Sequence, residues 1–137
     1  MMMLFSMFMF MPQDAVKAIG GTLTGDGTTD NPYQIEDADD LEAFAEKVNG
    51  GETTACAILV NDITFNNDVL DENGELNGTG ETFRQWTPIS QEEYYNGTFD
   101  GNNHTISGLY YSTDEWENFG FFMYIGENGT VKKFGTY

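Results

Sequence analysis

The sequence predicts a mostly β chain of short, stacked strands with a single helix near its amino-terminal end. Three observations lead there. Sixteen Gly in 137 residues, many of them in Asn-Gly or Asp-Gly pairs, imply frequent tight turns and therefore short strands. Only one stretch places apolar residues at helical spacing. A block beginning at Gly101 recurs at Gly126, and this 25-residue step suits one coil of a β-solenoid, whose inward residues form a continuous column.

At the amino terminus, Leu4 to Met11 is an apolar run too short to span a bilayer. The polar stretch after it ends in Val16-Lys17-Ala18, so residues 1–18 read as a signal peptide cleaved after Ala18. Residues 19–137 are then the exported domain, the amino-terminal part of a longer β-rich protein that is cut off at its carboxyl end. Gly20 to Asn31 is a polar lead-in. Pro32 to Ile35 reads as a strand, with Pro first, where no ladder donor is lost.

The helix follows. Ala38, Leu41, Phe44, Ala45 and Val48 make one apolar stripe, Asp37 is the expected N-cap, and Asn49-Gly50-Gly51 ends the element. Asp39, Asp40 and Glu42 sit where the helix dipole favours anions, so they read as capping and solvation. Strands are expected over Ala55–Val60 and Ile63–Phe65, then a long acidic loop over 66–82. Further short strands are expected at Trp86–Ile89, Gly97–Phe99, Thr105–Tyr111, Phe119–Ile125 and Thr130–Phe134. In the repeat, Gly101-Asn102-Asn103-His104-Thr105-Ile106-Ser107-Gly108-Leu109 aligns with Gly126-Glu127-Asn128-Gly129-Thr130-Val131-Lys132-Lys133-Phe134. On that alignment Thr130–Phe134 stacks beneath Thr105–Leu109, and Ile106, Leu109, Val131 and Phe134 belong to the core.

Eleven Phe, seven Tyr and two Trp set the chain apart from disordered sequences. With 23 acidic residues against five basic, its formal charge of −18 repels phosphate backbones and anionic lipid heads. Nucleic-acid binding and membrane insertion are therefore not expected. Cys56, the only cysteine, lies in an apolar run and reads as a small core residue.

Several segments, in order, resemble the opening of bacterial GLUG-motif surface proteins. They are Pro32-Tyr33-Gln34-Ile35, Asp40-Leu41 with Phe44-Ala45, Val48-Asn49-Gly50-Gly51, Asn61-Asp62-Ile63 and Trp86-Thr87-Pro88-Ile89. The most specific is Gly97-Thr98-Phe99-Asp100-Gly101-Asn102-Asn103-His104-Thr105-Ile106-Ser107-Gly108-Leu109. Gly120-Phe121-Phe122-Met123 stands where the family has Gly-Leu-Phe-Gly. The resemblance implies the start of a right-handed parallel β-helix, with the helix as its amino-terminal cap, in an extracellular bacterial protein. It implies a non-catalytic adhesion scaffold whose partner is a protein or glycan of a host or neighbouring cell. The alternative is a carbohydrate-binding or polysaccharide-cleaving β-helix protein, for which Trp86, Trp116, Tyr94, Tyr95, Tyr110 and Tyr111 are the candidate stacking rings.

Two clusters have chemistry to weigh. Asp100, His104 and Ser107 offer the residue types of a hydrolytic triad, but on a turn and strand without a nucleophile elbow, so a structural role is expected. Asp68, Asp71, Asn73 and Glu75 supply the hard oxygen ligands that Ca²⁺ takes. They miss the EF-hand template: with Gly74 as its glycine, Val69 and Gly80 fall at the first and last ligand positions. Weak calcium binding and no other cofactor are expected. The last coil, with nothing after Tyr137 to cover it, is expected to self-associate through its carboxyl-terminal edge.

Overall fold

The structure is a computed structural model describing residues 22–114 and 120–137. The signal-peptide reading of residues 1–18 and the start of the Phe119–Ile125 run lie outside the described residues. Among the described residues seven short strands and one helix follow in the order β1 (Tyr33–Ile35), α1 (Ala38–Asn49), β2 (Ala57–Leu59), β3 (Ile63–Thr64), β4 (Thr98–Asp100), β5 (Thr105–Ser107), β6 (Thr130–Lys132) and β7 (Gly135–Thr136).

These seven strands pair with one another in parallel, in two sheets ordered β1-β2-β4-β6 and β3-β5-β7. From β2 onward the chain therefore alternates between sheets, and each return lands one strand further along. In the first sheet, Tyr33, Ala57, Phe99 and Val131 stand in register on the inner face, and Gln34, Ile58, Asp100 and Lys132 on the outer. Alternate residues of a strand face opposite ways, so the apolar column needs only one large residue per short strand. A third wall is made by single parallel bridges, Gln85 to Tyr110, Ile89 to Phe122 and Tyr95 to Ile125. Trp86–Ile89, expected as a strand, contributes only such bridges. Pro88 interrupts it and removes a ladder donor.

The expected register of the repeat is corrected. Thr130–Lys132 pairs with Thr98–Asp100, a step of 32 residues, and not with Thr105–Leu109. Thr105 and Ile106 instead pair with Gly135 and Thr136. What aligns in space is Gly97-Thr98-Phe99 with Gly129-Thr130-Val131, because Gly97 and Gly129 both pass close against backbone of the preceding level. A Cβ on Gly97 would collide with the Ala55 carbonyl, and one on Gly129 with the Tyr95 carbonyl.

Helix α1 forms as its sequence predicts. Asp37 is extended and accepts from Asp40 N at 3.0 Å, and the chain leaves the helix through Gly51 at φ +115°. Its buried stripe of Leu41, Phe44, Ala45 and Val48 packs on the first strands. The Phe44 ring meets Tyr33, Tyr95 and Phe99 at 6.4, 6.3 and 5.8 Å between centroids. The interior is an aromatic column in which Phe99 touches Phe121, Phe122 and Phe134. Cys56 is buried, as expected. Ile106 is fully buried, whereas Leu109, Val131 and Phe134 are partly buried against the core.

Candidate functional site

Two surfaces stand out. The first is formed by the last two strands, β6 and β7, each of which has a strand neighbour on one side only among the described residues. Thr130 and Lys132 face solvent there, while Val131 and Phe134 are half-buried. Lys132 Nζ lies 3.2 Å from Asp100 Oδ2 on the adjacent strand. Burial pushes the Asp100 carboxyl up, but the Asn102 N–H and Lys132 outweigh it and leave the group below its ordinary value.

The second surface is a pair of tyrosines on the third wall. Tyr94 and Tyr124 sit 5.6 Å apart and are 62% and 41% exposed, and Ile125 beside them is also open. They neighbour the exposed Glu92 and Glu93, on a turn fastened to the helix end. Asn49 Oδ1 accepts from Ser90 N at 2.7 Å and Gln91 N at 3.1 Å, and Asn49 Nδ2 donates to Pro88 O at 3.0 Å. Of the other candidate rings, Trp86 and Tyr95 are buried, Tyr110 packs on Phe83, and Trp116 is outside the described residues.

The structure does not assemble Asp100, His104 and Ser107 into a relay. His104 Nδ1 pairs with Asp62 Oδ1 at 3.1 Å, Asp100 is held by Asn102 N and Lys132, and the Ser107 hydroxyl donates to Ile63 O. Asp62, which also accepts from Thr105 N at 3.0 Å, carries a carboxyl held low first by that N–H and then by His104.

Asp68, Asp71, Asn73 and Glu75 lie on an exposed hairpin closed by the antiparallel bridge of Leu70 to Leu76. Asp71 Oδ1 accepts from Asn73 N at 2.8 Å and Glu75 N at 3.0 Å, and these donors hold its carboxyl below the ordinary value. That oxygen thus serves the turn. Among the described residues no three His, Cys, Asp or Glu side chains converge as a metal site requires.

Sequence reasoning missed the role of Arg84. Its guanidinium donates to Glu42 through Nε (2.7 Å) and the NH2 nitrogen, and through that nitrogen to Asp39 (2.6 Å). The group also lies 5.1 Å over the Phe65 ring. Two helix acids assigned to solvation are therefore tied to the third wall. The only signal was that Arg84 is the chain's one arginine.

Among known proteins, the chain is 30% identical over 112 residues to halomucin of Haloquadratum walsbyi, covering 79% of this chain and 1% of halomucin. It is 31% identical over 109 residues to a protein named Gly-rich membrane protein from Evansella cellulosilytica, covering 79% of this chain and 11% of that protein. The chain thus spans a small part of either relative. No protein-family profile matches it, and no solved structure gives a significant match. Among the described residues no helix is long and apolar enough to cross a membrane.

Proposed function

We propose that the chain is a non-catalytic extracellular scaffold, a length of right-handed parallel β-helix of the GLUG-motif kind capped by α1. Its role is to present contact surfaces to proteins or glycans of host or neighbouring cells. The observation that carries this reading is the alternation of the chain between two parallel sheets from β2 onward, with Tyr33, Ala57, Phe99 and Val131 in one column on the inner face of the first. Such stacking builds length and surface rather than a deep pocket. The names of the two relatives accord with a place at the cell surface. Labelling intact source cells with an antibody against the described domain tests it. Surface label is expected, and label that appears only after lysis would sink the reading.

A second reading, glycan binding, is favoured by the exposed Tyr94–Tyr124 pair beside Glu92 and Glu93. Aromatic faces stack on sugar rings and carboxylates accept from their hydroxyls. A glycan array should then give hits that vanish with Tyr94→Ala and Tyr124→Ala while the melting temperature holds. An empty array would remove it.

A further inference from the structure

Five Asn-Gly steps occur in the chain, at Asn49, Asn73, Asn77, Asn96 and Asn128. In such a step the main-chain nitrogen of the glycine can attack the asparagine amide carbon, because no Cβ stands in the way. The attack needs a side-chain amide free to turn. It also needs a glycine N–H that is not engaged as a donor, since the nitrogen becomes a nucleophile by losing that proton. A hydrogen bond to either group must first be broken, so the folded structure decides which step reacts.

Four of the five steps have one or both groups held. Asn49 Oδ1 accepts from Ser90 N and Gln91 N, its Nδ2 donates to Pro88 O, and Gly50 N donates to Glu46 O at 2.8 Å. The Asn96 amide is engaged at both ends, donating to Tyr94 O at 3.0 Å and accepting from Asn128 N at 3.3 Å. Gly129 N donates to Gly126 O and Gly74 N to Asp71 O, each at 3.0 Å. Asn77-Gly78 differs. Both residues are exposed, and neither the Asn77 side chain nor the Gly78 N–H has a hydrogen-bond partner among the described residues. A Cβ on Gly78 would meet nothing within 4 Å. The groove that Val69 and Leu70 share with Tyr137 does not include Asn77 or Gly78, so the freedom of this step is set within the hairpin.

We propose that Asn77 is a site of spontaneous modification, where the chain converts its own asparagine to aspartate and isoaspartate with water as co-reactant. Gly78 N bonds to Asn77 Cγ, and the Cγ–Nδ2 bond breaks. The proton lost from Gly78 N is returned through solvent to the departing nitrogen, which leaves as ammonia. Water then adds to either carbonyl of the cyclic imide. Opening at one gives aspartate, and opening at the other gives isoaspartate, whose main chain runs through Cγ and is longer by one methylene. No electrons change hands. Each event adds a carboxylate to a hairpin that already holds Asp71, Glu72 and Glu75. The isoaspartate form also lengthens the hairpin just after the hydrogen bond from Asn77 N to Val69 O. The hairpin thus keeps a record of how long the molecule has stood in water. This chemistry needs neither the scaffold nor the glycan reading to hold.

The test holds the full chain warm in mildly alkaline buffer for days, with samples digested under mild acid and mapped by mass spectrometry. Enzymatic methylation identifies isoaspartate. Asn77 is expected to convert first, severalfold ahead of the other four steps. In denaturing urea the five rates should draw together, because every step then has the same free glycine beside it. Gly78→Ala should slow conversion at Asn77 severalfold, and parental rates at the other four steps would show that the body remains folded. A first product at Asn49, Asn73, Asn96 or Asn128, the same spread of rates in urea as in buffer, or indifference of Asn77 to Gly78→Ala would each overturn the proposal.

Discussion

Tyr95 shows how much one side chain contributes at the turns between levels. It is fully buried, and its hydroxyl donates to Ala55 O at 2.8 Å, so burial drives its pKa far above the ordinary phenolic value. Tyr95→Phe keeps the ring contacts but leaves that carbonyl without its donor. A loss of about 1–3 kcal/mol is expected in urea unfolding. A variant as stable as the parent would mean the carbonyl finds another donor. Gly97→Ala should cost at least as much, because the added Cβ runs into the Ala55 backbone rather than into a side chain that can yield. At Asp71 the competing demand is the turn itself. Calorimetry should give calcium binding no tighter than roughly the millimolar range of loose extracellular sites. A micromolar site lost with Asp71→Ala would show that the hairpin reorganises around the ion.

At the scale of elements, α1 is where stability concentrates. Phe44 touches three rings from different levels, so Phe44→Ala should destabilise by about 3–5 kcal/mol. Glu42→Gln, which loosens the half-exposed Arg84 clamp, should cost under about 1 kcal/mol. Paired melts of the two variants check the ranking, and a reversed order would make the clamp, not the packing, the helix's anchor. The helix was legible in the sequence because a stripe of period 3.6 between a capping Asp and a Gly pair has few other meanings. The strands were legible as short apolar runs, yet their partners were not. A three-residue strand shows one inward side chain, and Ile106, Val131 and Phe134 are interchangeable in such a pattern. The levels also differ in length: Tyr33 to Ala57 is 24 residues, Ala57 to Phe99 is 42, and Phe99 to Val131 is 32. No fixed offset can find them. The exposed tyrosines were legible as aromatics, but which of them faced outward depended on a third wall of single bridges that leaves no alternation to read.

For the molecule as a whole, charge sets the response to pH. Asp26, Asp62 and Asp71 have carboxyls held below 3.8, by the Thr28 hydroxyl, the Thr105 N–H and the Glu75 N–H respectively. Asp100 is lowered as well. A group with a depressed folded pKa binds fewer protons folded than unfolded, so stability rises with pH through that region. Its contribution is full above about pH 5 and is lost as pH falls through the folded values. Against this, mild acidification relieves self-repulsion in a chain of net charge −18. The melting temperature should therefore rise modestly from pH 7 to about pH 5 and fall below about pH 4. Thermal melts across pH check this, and a continued rise down to pH 3 would show that the turn carboxylates matter little. Added salt should flatten the upper part of the curve by screening the repulsion.

The excursion between β3 and the third wall leaves and re-enters the fold at a single point. Asn66 accepts from Arg84 N at 2.8 Å, and its amide donates to Arg84 O at 2.8 Å and Gly108 O at 2.9 Å. One side chain thus closes the ring that the hairpin opens, and the peptide between Asp68 and Gly78 lies almost wholly exposed. A protease nick in the hairpin should leave two fragments that co-purify under native conditions and part only in denaturant, and new termini placed there should yield a folding circular permutant. This part of the chain is accordingly an insertion port, where foreign sequence can be carried without redesigning the body that carries it.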